Sequence, residues 1–178
     1  MNRIELAWMK DKAVIRVVGK GSFLNSRNFK EAVIALLARS DKTIVIDFAD
    51  CSGMDSTFIG VLTGITLREL KKSDKQMLLA NLGKCNRELL ETLGVIRFFN
   101  VMKNDCTFDA EFKSVADTPE DPDGAIEQIK HILEAHDNLI KANEENIDRF
   151  KLVKQTLEQE LAQKIDEKKQ RNGKKNQQ

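Results

Sequence analysis

The chain is poor in several things that would mark a specialised class. It has three cysteines, Cys51, Cys85 and Cys106, an odd and widely spaced set in a chain of 178 residues. A disulfide scaffold is excluded as an organising principle, and a reducing cytoplasm is the expected compartment. It has two histidines, His131 and His136. Their i, i+5 spacing sends them to different faces of a helix, so no zinc site is expected on that pair. Apolar runs are a few residues long, far short of the roughly 20 needed to cross a bilayer. No apolar stretch follows a basic start, so no secretory leader is expected. No sign of charge dominates: the net charge is +1, which argues against nucleic acid as a direct partner. Gly19-Lys20-Gly21-Ser22 is glycine-rich and basic but lacks the spacing of a phosphate-binding loop.

What is present divides the chain in two. Over residues 1–117, short apolar runs alternate with helical patterns. Ile4, Leu6 and Trp8 alternate with polar or small residues, and Ala13–Val18 is rich in β-branched side chains. The link Met9–Lys12 predicts that these two strands form a hairpin. Ser26 stands where a helix cap belongs, ahead of Phe29, Val33, Leu36 and Leu37 at helical spacing. Thr43–Phe48 reads as a strand buried on both faces. A helix is predicted from Ser56 to Leu70, a strand over Gln76–Ala80, a helix from Arg87 to Leu93 closed by Gly94, and a last strand over Ile96–Val101. The order is β-β-α-β-α-β-α-β, an α/β fold. A mixed sheet of four or five strands is expected, with the helices that start near Ser26, Ser56 and Arg87 packed on one face.

Residues 118–172 are expected to form a helical extension, and residues 173–178 a disordered basic tail. Asp121 and Pro122 make a helix start, and from there to about Lys169 only Gly124 interrupts. Over residues 121–160 there are five basic and ten acidic residues, an acidic helix. Ile126, Ile129, Leu133, His136, Ile140, Asn143, Ile147, Phe150, Lys154, Leu157 and Leu161 fall at spacings of three to four. This is a heptad-like stripe with polar breaks at His136, Asn143 and Lys154. One helix running from Pro122 past Leu161, kinked near Asn143, is predicted. Its stripe residues Ile140, Asn143, Ile147, Phe150, Leu157 and Leu161 are candidates for self-association or partner binding.

The chemically informative stretch is Met54-Asp55-Ser56-Thr57, which follows a buried strand and opens a helix. A serine there can accept a bond from a free backbone N–H. A phosphate there would meet unpaired N–H groups at the positive end of the helix dipole. Ser56 is therefore the candidate regulatory residue. Gly60 and Gly64, four apart, predict close packing of that helix against the sheet. Phe58 is expected in the core, Cys51 as a small buried filler, and His136 as a partly solvated side chain. No pairing of a nucleophile with a base is legible, and neither catalysis, a metal nor a cofactor is expected.

The element order, Met54-Asp55-Ser56-Thr57, and Leu89-Leu90-Glu91-Thr92-Leu93-Gly94-Val95 together resemble the STAS-domain anti-sigma-factor antagonists over about residues 3–117. The resemblance implies that Ser56 is the phosphorylation site. It implies that Met54, Asp55, Thr57, Ser22 and Asn25 surround the partner-binding face. The partner would be an anti-sigma factor that is also a serine kinase, with a serine phosphatase resetting the switch, and the protein would be a cytoplasmic regulator of transcription. Two departures stand out: Ser22 replaces the family's aspartate after the second strand, and Phe58 replaces a glycine. The alternatives are a STAS accessory subunit of a membrane transport system and a coiled-coil scaffold whose serine is only a cap.

Overall fold

A computed structural model describes residues 2–70, 76–103, 105–116 and 124–175, with side chains described as far as residue 171. The strands are β1 (Arg3–Trp8), β2 (Lys12–Gly21), β3 (Thr43–Asp47), β4 (Cys51–Met54), β5 (Met77–Ala80), β6 (Asn100–Val101) and β7 (Lys113–Ser114). The α-helices are α1 (Ser26–Arg39), α2 (Ser56–Gly64), α3 (Lys84–Thr92), α4 (Gly124–Ala142) and α5 (Asn146–Lys175). The sheet order is β6-β5-β3-β2-β1-β7, with β4 paired to β2 outside that path. β1 and β2 form the expected antiparallel hairpin, Leu6 opposite Ile15. The pairs β2–β3, β3–β5 and β5–β6 are parallel.

Among the described residues the sheet has seven strands rather than four or five, because short pairings at β4 and β7 carry no run of alternating residues to announce them. The last predicted strand shrinks to Asn100–Val101, and Ile96–Phe98 is a 3₁₀ turn. Gly94 takes φ +67 after α3, and Val95 N–H bonds back to the Leu90 carbonyl at 2.9 Å. This left-handed cap turns the chain before it can enter the sheet. The long second helix also changes character, becoming π-helical over Ile65–Glu69. α3 begins at Lys84, earlier than Arg87.

β3 lies between β2 and β5 and is buried on both sides, as its apolar run requires. Ile44 and Ile46 join Phe29, Val33, Leu36, Ile59, Leu62, Ile65 and Leu90 in the main core, so α1, α2 and α3 share one face. Val14, Val45 and Ala80 face the other way and are covered by Met9, Met102, Phe108 and Phe112. Asp47, 0% exposed, closes β3. Its carboxylate accepts from Arg16 Nε at 2.8 Å, Asn81 Nδ2 at 2.7 Å and Ala49 N–H at 3.0 Å. The buried charge is thereby both paired and hydrogen-bonded, the condition for keeping one.

The C-terminal helix is not continuous. It breaks at Asn143–Glu145 into the hairpin α4–α5. Asn143 Oδ1 accepts from Glu145 N–H at 3.3 Å, and Asn146 Nδ2 donates to the Leu139 and Leu93 carbonyls, each at 3.0 Å. Asn146 thus ties the carbonyl at the end of α3 to the last turn of α4. Arg97 and Arg149 bond the Ala142 and Thr92 carbonyls at 2.7 and 2.9 Å, where a cation also meets the negative end of a helix dipole. The predicted start at Asp121 and Pro122 lies outside the described residues. α5 continues to Lys175, into the segment expected to be a tail.

α4 packs on α2 and adds Ala135, Leu139 and Ala142 to the main core. Gly60 and Gly64 make their close approach to α4, not to the sheet. A Cβ on Gly60 would lie 2.2 Å from the Ala135 carbonyl oxygen, and one on Gly64 2.2 Å from Asn138 Nδ2. Asn138 Nδ2 donates to the Gly60 carbonyl at 3.1 Å. Glu134 accepts from Lys30 of α1 at 2.7 Å and from Arg68 at 2.6 Å. Burial raises the Glu134 pKa, but the Lys30 bond and the charges of Lys30 and Arg68 outweigh it, so the carboxyl is held below its ordinary value.

Candidate functional site

The end of β2 and the parallel strand β4 bring two loops together. Gly21 pairs with Met54, and Asp55 N–H donates to the Gly21 carbonyl at 2.9 Å. Asp55 then does two things. Its Oδ1 accepts from Phe58 N–H at 2.9 Å, capping α2. Its Oδ2 accepts from Phe23 N–H at 2.9 Å, pinning the loop before α1. The cap is therefore Asp55, and Ser56 is the first helical residue with its hydroxyl released from capping.

Phe58 is 0% exposed, with its ring centroid 4.8 Å from that of Phe29. A Cβ on Gly21 would sit 3.0 Å from the Phe58 ring. The large residue at this position thus fits because glycine faces it. Ser22, Asn25, Met54 and Thr57 are all buried. Ser22 N–H donates to Asn25 Oδ1 at 2.8 Å, and Asn25 Nδ2 to the Lys20 carbonyl at 3.0 Å. These four residues shape the platform from beneath. The side chains that stand out of it are Phe23, 41% exposed, and Leu24, 70% exposed, which sequence reasoning passed over. Their signal was two consecutive large apolar residues in a loop, outside both the strand and the helix period.

Ser56 is half-buried, and its Oγ lies 3.0 Å from His136 Nε2 on α4. His136 Nδ1 is 3.0 Å from the Ile132 carbonyl. A carbonyl only accepts, so Nδ1 carries the proton and donates. In the neutral ring Nε2 is then the acceptor, and the Ser56 hydroxyl donates to it. Burial pushes the His136 pKa below its ordinary value, against the opposing influence of the Ile132 bond and of Asp55 and Asp137. His136 is 3% exposed, not partly solvated, because the Phe150 ring of α5 covers it at 4.8 Å. A serine hydroxyl hydrogen-bonded to a neutral imidazole is a pairing that the sequence had concealed.

The second histidine also meets a serine, one whose hydroxyl donates to the Phe23 carbonyl at 3.3 Å. His131 Nε2 is 2.8 Å from the Oγ of Ser26, the first residue of α1 and fully buried. Burial and then Lys30 lower the His131 pKa. The spacing that separates the two histidines around α4 lets one helix reach the first turns of α1 and α2.

The expected C-terminal stripe is split. Ile140 is partly buried against the core and Phe150 lies within it. Asn143 makes the turn, Ile147 is exposed, and Leu157 and Leu161 are half-buried. Leu152, 76% exposed, and Val153 join Ile147 as the prominent apolar groups of α5. Lys154 pairs with Asp137 across the hairpin. Among the described residues no group of three or more His, Cys, Asp or Glu side chains is placed to hold a metal ion, and no helix is long and apolar enough to cross a membrane.

The STAS domain profile matches residues 4–107. The chain belongs to the STAS-domain family. Its STAS fold is similar to that of an anti-sigma factor antagonist from Mycobacterium paratuberculosis, at 16% identity and a TM-score of 0.52 over 58% of this chain and 87% of the other. A putative anti-sigma factor antagonist from Thermotoga maritima matches at 18% identity and a TM-score of 0.50, over 56% of this chain and 85% of the other. The unphosphorylated form of the anti-sigma factor antagonist SpoIIAA matches at 22% identity and a TM-score of 0.45, over 60% of this chain and 90% of the other.

Proposed function

We propose that this STAS protein is an anti-sigma-factor antagonist, a cytoplasmic binding module switched by phosphorylation at Ser56. The observation that carries the reading is the half-buried Ser56 hydroxyl at the start of α2, freed from capping by Asp55, on the platform from which Phe23 and Leu24 project. The unmodified platform binds an anti-sigma factor that is also a serine kinase. The kinase phosphorylates Ser56 and releases its partner, and a serine phosphatase restores the hydroxyl. A phosphate adds a charge of roughly −1.5 to −2. Held against an apolar partner surface without a cation opposite, it would be desolvated at a penalty of several kcal/mol. Release follows from that penalty alone.

The test is phosphosite mapping by mass spectrometry on protein from its own cells, followed by calorimetry with the partner kinase. Ser56→Ala should keep binding, and Ser56→Asp should weaken it in part, since aspartate carries less charge than phosphate. Equal affinity of the unmodified and the fully phosphorylated protein would refute the switch. A scaffold role is a second reading, favoured by the exposed Ile147, Leu152 and Val153 of α5. In that reading a second copy of the hairpin covers them.

A further inference from the structure

Both histidines of the chain are on α4 and both meet a serine, but only one of the two serines is open. Ser26 is fully buried, and its hydroxyl is also 3.3 Å from the Phe23 carbonyl. Ser56 is half-buried and reaches solvent. We propose that His136 is the base that receives the Ser56 proton when Ser56 is phosphorylated, so that the acceptor protein supplies part of the phosphoryl-transfer chemistry itself. This rests on the reading of Ser56 as the modified residue.

The geometry is that of an activated nucleophile. Nδ1–H is committed to the Ile132 carbonyl at 3.0 Å, leaving the Nε2 lone pair toward the hydroxyl at 3.0 Å, within the reach required of a general base. The groups that face the ring are Phe150 and Lys154 from α5, Asp137 from α4 itself, and Asp55 from the loop before α2. Lys154 is paired to Asp137, and both Asp55 oxygens accept backbone N–H bonds. Burial favours the neutral ring before reaction, and the two carboxylates stabilise the cation after it.

In the step itself the Ser56 Oγ attacks the terminal phosphorus of a nucleoside triphosphate. The Oγ–P bond forms, the bridging P–O bond breaks, and the nucleoside diphosphate leaves with the electron pair. The hydroxyl proton passes to Nε2. The product is a phosphoserine beside an imidazolium, at the end of α2 where an anion is favoured.

A small alkyl fluorophosphonate tests this without any kinase, because it phosphonylates activated serines: the Oγ–P bond forms, P–F breaks, fluoride leaves, and the proton again goes to the base. The full chain is treated between about pH 5 and 9, the range that spans imidazole titration, and the modified peptide is identified by mass spectrometry. Ser56 should be labelled and Ser26 should not. The rate should rise with pH to a plateau, with its midpoint below the ordinary histidine value of 6.5. His136→Gln, whose amide keeps a hydrogen bond to Ser56, should slow labelling by about 100-fold or more and abolish that titration. Added imidazole should restore part of the rate in His136→Ala. Equal rates in wild type and His136→Gln, or no labelling of Ser56 at all, would overturn the proposal. The outcomes also separate from those of the switch. Cellular phosphate on Ser56 with no effect of His136 on labelling removes the base and leaves the switch. Activated labelling with no cellular phosphate on Ser56 removes the switch, and with it the role of His136 in phosphorylation.

Discussion

Replacing Gly60 with alanine sets two physical arguments against each other. Gly60 lies inside α2. Helix propensity alone makes Gly→Ala stabilising there by about 1 kcal/mol. The packing makes the opposite prediction. The new Cβ would fall 2.2 Å from the Ala135 oxygen, 2.6 Å from its carbonyl carbon and 3.0 Å from its Cα. All three are backbone atoms, so no side chain can swing aside. Ordinary contact begins near 3.4 Å, and α4 must withdraw from α2 along the line of that contact. Withdrawal strains the Asn138–Gly60 bond at 3.1 Å and the Ser56–His136 bond at 3.0 Å. Overpacking costs about 1–3 kcal/mol, and two hydrogen bonds lose about 1 kcal/mol each. Against the propensity gain, a net loss of about 2–4 kcal/mol is expected. Gly64→Ala should also destabilise, because its Cβ would meet the side-chain amide of Asn138, which can move aside only by giving up its bonds to the Gly60 carbonyl and Arg68. Urea unfolding gives the sign and size, and hydrogen exchange over residues 131–142 locates the change. A Gly60→Ala protein that is as stable as wild type or more so, with α4 equally protected, would refute the account of how α4 docks.

Other expectations follow from the same contacts. His131 and His136 have folded-state pKa values below their ordinary value because of burial, so the unfolded chain binds their protons more readily. Stability should be full above about pH 6.5, the unfolded histidine value, and fall as pH drops below it. Urea titrations at pH 7.5 and 5.5 should reveal this loss, and it should shrink in a His131→Gln, His136→Gln double variant. Asp47→Ala should destabilise the fold by about 3 kcal/mol, near the lower end for a broken buried pair, since Arg16 keeps 21% side-chain exposure; thermal or urea unfolding reads it directly. If a second copy covers α5, Leu152→Lys should shift the sedimentation of the full chain toward monomer at high micromolar concentration while leaving the unfolding midpoint of the dilute, monomeric protein unchanged. A wild-type monomer under the same conditions would discard self-association through this face.

Much of the domain was legible because its signals are local. β-branched runs, the Met9–Lys12 link and helical spacing marked the strands and helices. The unbroken apolar run at Ile44–Phe48 required burial on both faces, which β3 has between β2 and β5. Phe58 was read correctly as core, and the helix start at Asp55-Ser56 was visible, although its cap proved to be Asp55.

What the linear pattern could not carry was the identity of each buried face's partner. Spacing of three to four says that a helix has an apolar side, not what lies against it. Gly60 and Gly64 therefore announced a close approach but not that α4 would make it, and one stripe over residues 126–161 read as a single helix. The break at Asn143 depends on Asn146 finding the Leu93 carbonyl across the fold, and no local propensity encodes that meeting. The Ser56–His136 and Ser26–His131 pairs join residues 80 and 105 positions apart. Each is the joint result of a sheet that sets the starts of α1 and α2, two glycines that admit α4, and a turn that folds Phe150 over the imidazole. Only the tertiary structure brings the Ser56 hydroxyl and the His136 imidazole into one hydrogen bond, because such a pairing depends on distance and burial, and neither is written in the order of residues.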